Sequence, residues 1–332
     1  MPVVAVDVQS REPYETGIPG LEYERLDGMV TFAVDPANGA NALITDLHLA
    51  PTDQHGLVRF SSDFCLLHDK SGGGSRVLVD VVNRGRKIAV KDFNAGVPAT
   101  VQRGSPHGDG FLFSHGFAVL SIGWQWDVYS SESLLGLQAP DLTANGLRVP
   151  GQAIVEIWPN APANTWALAS REHKPYRAVV DGAAGKAAVL LVSDWHGGPE
   201  RVVPRHTWRF ARQKDQSGKA GSIVFSGRVV PSKEHIYLEP GFIPGKFYQL
   251  IYTAEAANLA AAGLLAVREA ASWMRQPSSH LNPLTTPASF VYAYGNSQTG
   301  RLLRHFLHLG LNTAEDQARA YDGVLPHVRC KR

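Results

Sequence analysis

Very little in this chain is extreme, and its shortages narrow the field. Only two cysteines, Cys65 and Cys330, occur in 332 residues. A disulfide framework and a C-x-x-C metal pair are therefore excluded, and buried free thiols are the expected state of both. Net charge is equally scarce: 32 basic against 30 acidic residues leave +2, with the signs mixed along the chain. That balance gives no electrostatic case for nucleic acid or for an anionic membrane surface as a partner. No run reaches the roughly 18 apolar residues of a membrane span. The first residues, MPVVAVD, lack a basic segment followed by a long apolar stretch. They do not read as a secretion signal, and a cytoplasmic location is the expectation. His107, His115, His196, His206 and His235 show no ligand spacing with carboxylates or cysteines, so no metal and no other cofactor is expected. Internal repeats and low-complexity tracts are missing too.

What remains is an ordinary globular composition, 44% hydrophobic and 19% charged. The length suits one large α/β domain or two smaller ones. Residues 1–62 read as short β segments joined by turns such as Asp35-Pro36 and Asn38-Gly39. The glycines of 71–75 form a flexible loop; a phosphate cradle would need a lysine and a following helix that are not there. Residues 76–83 and 116–124 are nearly continuous apolar runs, as expected inside a parallel sheet buried on both faces. Between them, 84–115 is glycine-rich and polar, with room for a short helix.

From 134 to 241 the character changes. Short strands at 154–158, 187–192, 207–210 and 222–225 are separated by Pro, Gly and Asn with no long helical pattern. This predicts a β-rich insertion or lid. It holds four of the seven tryptophans, Trp158, Trp166, Trp195 and Trp208. They pack a core on one reading and line a substrate cleft on the other. Residues 247–252 return to strand character. Thr253 is placed to cap a helix running to about Arg275, with Ala260, Leu264, Val267, Ala271 and Met274 on one packing face. A strand at 290–294, a turn of small residues and a helix to about Leu309 complete a right-handed βαβ progression. The expected organisation is one discontinuous domain: 1–133 with the first strands, 134–241 as the insertion, and 242–332 with the central strands.

Ser297 stands on that last turn, between strand and helix. A serine so placed is either a helix N-cap or a nucleophile on a sharp elbow, with helix N–H groups behind it for an oxyanion. The pattern G-x-S-x-G has threonine at its last position here, and glycine follows one residue later. A serine nucleophile needs a base within about 3 Å and a group that orients the base. His305 is excluded by distance, since it lies roughly 12 Å along the helix axis. With Arg301, Arg304 and His308 it forms a polar stripe. His327 and Asp322 are the remaining candidates for base and acid; His327 also reads as a loop histidine or one that supports another site residue, and Asp322 is a similarly weak candidate. Arg84 and Gly85, at the end of the strand 76–83, stand where this architecture supplies its second oxyanion donor, although an ordinary turn explains them equally well.

These pieces together resemble a family of bacterial α/β-hydrolase-domain proteins whose elbow reads G-x-S-Q-[ST]-G-R. Here it is Gly295-Asn296-Ser297-Gln298-Thr299-Gly300-Arg301, followed by leucines and Arg304. The similarity extends over nearly the whole chain, through Tyr23-Glu24-Arg25-Leu26-Asp27-Gly28, Asn83-Arg84-Gly85, Pro244-Gly245-Lys246-Phe247-Tyr248 and Asp322-Gly323-Val324-Leu325-Pro326-His327. It implies an α/β-hydrolase-like, mostly parallel sheet, with Ser297 as nucleophile and the N–H of Gln298 in the oxyanion hole. It also makes a small hydroxyl residue at 299 normal.

Family members continue through further strands that carry the acid and the histidine, whereas this chain ends in a basic tail. The expectation is a C-terminally incomplete sheet lacking two of the three triad residues. The expected function is a carboxylic-ester hydrolase acting weakly or not at all, its partners a small-molecule ester and a complementing C-terminal polypeptide. A non-catalytic binding module or fragment derived from a hydrolase is the alternative.

Overall fold

The computed structural model describes residues 2–72, 74–94, 108–171, 173–214, 228–277 and 279–328. The strand expected at 222–225, Gly73 of the glycine loop, His107, and Cys330 with its basic neighbours lie outside the described residues. The chain divides into two compact units, one formed by Met1–Pro140 with Asn258–Arg332, the other by Asp141–Ala257.

The first unit is built on an eight-stranded sheet. Strands β1 (Val3–Tyr14), β2 (Tyr23–Val34) and β3 (Val58–Asp69) form an antiparallel meander. β3 then pairs antiparallel with β5 (Phe117–Ile122) and with the short strand Leu137–Gln138. Only from β5 onward is the sheet parallel: β5 pairs with β4 (Arg76–Val81), β4 with the strand Phe290–Asn296, and that strand with Gly323–His327. The sheet is therefore mixed rather than mostly parallel. The physical reason is visible in the side chains. β1 alternates between partly covered and exposed positions, which suits an antiparallel edge, whereas β4 is buried at every position after Arg76. Cys65 is buried within this sheet, and burial pushes its thiol up to about 12.

The helix Ala262–Arg275 is buried almost all round rather than along one face. Even Arg268 and Glu269 are fully covered; Arg268 donates to Glu269 Oε1 (2.6 Å), Asn41 Oδ1 (2.6 Å) and the Ala40 carbonyl (2.9 Å). A buried charge pair of this kind survives only when its remaining donors are satisfied. Thr253 does not cap the helix. It belongs to the strand Phe247–Ala254, which pairs antiparallel with Val189–Ser193 and Gly151–Ile157 inside the second unit. The expected βαβ progression from this strand is thereby overturned. Its half-covered Gln249, Ile251 and Thr253 alternate with buried Tyr248, Leu250 and Tyr252, the period of a one-sided antiparallel strand.

Among its described residues the second unit is almost wholly β. A four-stranded sheet runs Arg201–Val202, Val189–Ser193, Phe247–Ala254, Gly151–Ile157, and a three-stranded sheet runs Ala163–Ala167, His235–Phe242, Trp208–Arg209. Their shared core contains Ile157, Leu190, Trp208, Phe242, Leu250 and Tyr252.

Candidate active site

The strand Phe290–Asn296 turns into the helix Gln298–His308 through one residue, Ser297. Its backbone sits at φ 59° and ψ −107°, where a residue with a Cβ is strained. A capping serine would take extended angles and turn its hydroxyl onto the first N–H groups of the helix. Ser297 does neither: it makes no side-chain cap bond and is exposed. The turn is held by the backbone, with Ser297 N donating to the His327 carbonyl (2.8 Å) and Arg301 N to the Ser297 carbonyl (3.1 Å).

Small residues make the turn possible. A Cβ on Gly295 would stand 2.7 Å from the Thr299 carbonyl, so only glycine lets the helix fold back on its strand. A Cβ on Gly300 would stand 2.5 Å from the His327 carbonyl oxygen, so glycine there lets the helix lie against the neighbouring strand. Thr299 is buried, and its hydroxyl accepts from Asn296 N (2.9 Å) and donates to the Asn296 carbonyl (3.2 Å). The threonine is thus a staple across the turn, which explains why glycine can be displaced by one position.

The end of β4 meets this turn. Asn83, Arg84, Gly85 and Arg86 form a two-residue turn with left-handed φ of 53° at Arg84 and 80° at Gly85, closed by N–H···O bonds both ways between Asn83 and Arg86 (3.0 Å each). Asn83 Nδ2 donates to the Asn296 carbonyl (2.8 Å), tying that turn to the residue before Ser297. Behind it, buried Asp80 accepts from Ile88 N (2.9 Å) and Ser121 Oγ (2.9 Å). Burial pushes its carboxyl up to about 6 despite those donors, and its Oδ1 has no partner among the described residues.

On the other flank, Asp92 Oδ2 accepts from Tyr294 Oη (2.6 Å) and Asn296 Nδ2 (3.0 Å). Burial, with the Asp92 carboxylate beside it, holds the Tyr294 phenol well above its ordinary value. Asp92, Phe93, Tyr294, Asn296, Leu325 and His327 line a cavity of about 610 Å³. The arrangement is an exposed, strained serine at a helix N-terminus, beside a cavity with a carboxylate in its wall.

Residues 248–332, which include all of this turn, match a family model described as Alpha/beta hydrolase domain. That match supports an alpha/beta-hydrolase family. No curated protein and no solved structure matches the chain.

The expected site residues separate. Gln298 opens the helix behind Ser297, where first-turn N–H groups have no intrahelical acceptor. His327 lies beside the turn and lines the cavity, yet among the described residues no hydrogen bond joins it to Ser297 Oγ. Asp322 is at the opposite end of the sheet, five residues before His327 and so roughly 16 Å away along the strand. There it accepts from Val291 N (2.9 Å), Arg275 (2.6 Å) and Arg319 (2.7 Å). Burial alone would raise its carboxyl, but those donors hold it below the ordinary value. Orienting a base at Ser297 is out of its reach. His305 and His308 are exposed on the helix, stacked on each other. Among the described residues no group of three or more His, Cys, Asp or Glu gathers to hold a metal ion, and no helix is long and apolar enough to cross a membrane.

Sequence reasoning missed Asp92 and Asp80. Asp92 carries no local signal, because its partners are about two hundred residues away. Asp80 did: a carboxylate flanked by Val79 and Val81 in a buried strand must be held by something.

Proposed function

We propose that this chain is a serine hydrolase acting on a carboxylic ester, with Ser297 as its nucleophile. The observation that carries the reading is the Ser297 backbone at φ 59° and ψ −107°, in a serine whose exposed hydroxyl caps nothing. Strain of this kind costs about 1–3 kcal/mol and persists where the surrounding structure imposes it, commonly at active sites. Ser297 Oγ attacks the ester carbonyl carbon, and the carbonyl oxygen becomes an oxyanion. The N–H of Gln298 stabilises that charge at the helix N-terminus, with a second donor from the Arg84–Gly85 turn held near by Asn83. The serine proton must pass to a base. His327 has no bond to Ser297 Oγ, so we propose slow turnover by this chain, with base and acid contributed by a complementing polypeptide segment.

A fluorophosphonate probe tests the nucleophile directly. Labelling of the wild type and none of Ser297→Ala is the expected result; equal labelling of both removes Ser297 from the reaction. The second reading, a hydrolase-derived binding module, is favoured by the same unpaired hydroxyl. It is supported if the wild type neither takes up the probe nor hydrolyses aryl esters faster than Ser297→Ala.

A further inference from the structure

One end of the four-stranded sheet in the second unit leaves aromatic rings uncovered. Three strands meet there, because Ile157 pairs with Tyr248 and Ser193 with Phe247. Trp158 directly follows the first of them, and Trp195 and His196 follow the second. Trp158 is 53% exposed and Trp195 60%, whereas Trp208 of the same unit is 2% exposed in its core. Exposure of two large rings at one place is the kind of apolar surface that marks a binding site.

Both rings are fixed before any ligand arrives. Trp158 stacks on His196 (5.9 Å between centroids, 22° between planes) and meets the edge of Phe247 (5.1 Å). His196 meets Phe247 as well (5.1 Å), and Phe247 is buried beneath them. Under Trp195 lies the backbone of Gly198, where a Cβ would come within 2.9 Å of the indole. Gly198 N (3.0 Å) and Ser193 Oγ (2.8 Å) both donate to the Trp195 carbonyl. Rings supported from one side and open on the other lose little freedom on binding.

The rim decides what kind of ligand fits. Its charges cancel locally: Asp194 pairs with Lys246 (2.6 Å) and Arg201 (3.1 Å), and Glu156 lies 3.9 Å from His196. An anionic polymer or lipid surface would need an uncompensated positive patch. Fixed, open aromatic faces fringed by donors and acceptors of no net sign suit a polyhydroxylated neutral chain, whose C–H faces stack on the rings while its hydroxyls bond the rim. The strands before Trp158 and Trp195 are two strand spacings apart, roughly 10 Å, so a ligand touching both rings is extended rather than a single sugar. We propose that this end of the second unit is a binding platform for neutral carbohydrate chains. Exposed Ile154 lengthens the apolar surface along the same strand, which makes a second copy of the chain the competing occupant.

The test uses the full chain in native gels containing soluble neutral glucan, mannan, galactan or xylan, with heparin as the anionic control. Retardation by at least one neutral polymer and not by heparin is expected. Trp158→Ala and Trp195→Ala should each weaken it by about tenfold or more, as truncation of an aromatic anchor does, with melting temperature unchanged, while Trp158→Phe keeps most of the affinity. The proposal is overturned if no neutral polymer retards the protein, or if the alanine variants are retarded as strongly as the wild type. It is equally overturned if heparin alone retards it, or if the alanine variants only abolish a concentration-dependent dimer seen by light scattering.

Discussion

Two carboxylates at opposite ends of the parallel half of one mixed sheet behave in opposite ways. Asp80 lies toward the end that carries Ser297. It is buried, accepts from neutral donors that include Ile88 N and Ser121 Oγ, and is pushed up to about 6 by that burial. Asp322 lies at the other end, between Arg275 and Arg319, and is held below its ordinary value. The same contrast extends to their neighbourhoods. At the Asp322 end polar groups are saturated by ion pairs and by the Val291 N–H. At the Ser297 end they are left open among the described residues: a hydroxyl that makes no cap bond, a helix N-terminus, and a carboxylate, Asp92, that accepts from a phenol and an amide. The closed end builds stability, and the open end stores strain and unspent bonding capacity.

The largest expected effect breaks the open end. Gly300→Val would drive a branched side chain into the His327 carbonyl, and even its Cβ would stand 2.5 Å away. Overpacking of this severity costs about 3 kcal/mol or more, so the variant should lose most of its cooperative urea transition together with probe labelling. An unchanged urea midpoint would mean that helix and strand are not packed as described.

The second effect sharpens the contrast between the carboxylates. The folded value of Asp80 lies above its unfolded value, so its contribution is full below about pH 4 and is lost as pH rises through 6, roughly 2–3 kcal/mol in all. The folded value of Asp322 lies below its unfolded value, so its contribution is present above about pH 4 and is lost as pH falls further. Urea midpoints across pH 3–8 should therefore show Asp80→Asn losing the decline between pH 4 and 6 and keeping the acid limb. Asp322→Asn should do the reverse and leave probe labelling unchanged. Parallel profiles for both variants would dissolve the distinction.

The smallest effect reads the strain itself. Ser297→Gly should abolish labelling while raising stability by about 1 kcal/mol, since glycine adopts the left-handed region freely. A loss of stability would mean that the hydroxyl, and not the backbone, was being stabilised.

Much of this contrast was legible in the residues. The near-continuous apolar runs at 76–83 and 116–124 foretold two parallel strands, because a strand covered on both faces has no polar side. The spacing of Arg301, Arg304, His305 and His308 foretold an exposed stripe opposite buried Leu303 and Phe306. Harder to read was the strand Phe247–Ala254: its composition says strand, but its partners, Val189–Ser193 and Gly151–Ile157, are chosen by packing in another unit. The four tryptophans of the 134–241 segment looked alike in sequence; packing buried Trp208 and left Trp158 and Trp195 bare.

The sequence by itself determined the sharp turn at Ser297, because glycine, serine and threonine stereochemistry acts within five or six residues. It also determined where the two long helices end and where the most apolar strands run. Only the tertiary structure decided that Asp322 belongs to two arginines, that Asp92 reaches Asn296, and which indoles face water. Those outcomes depend on which distant segments meet, and the energy of such a contact is written in neither partner alone.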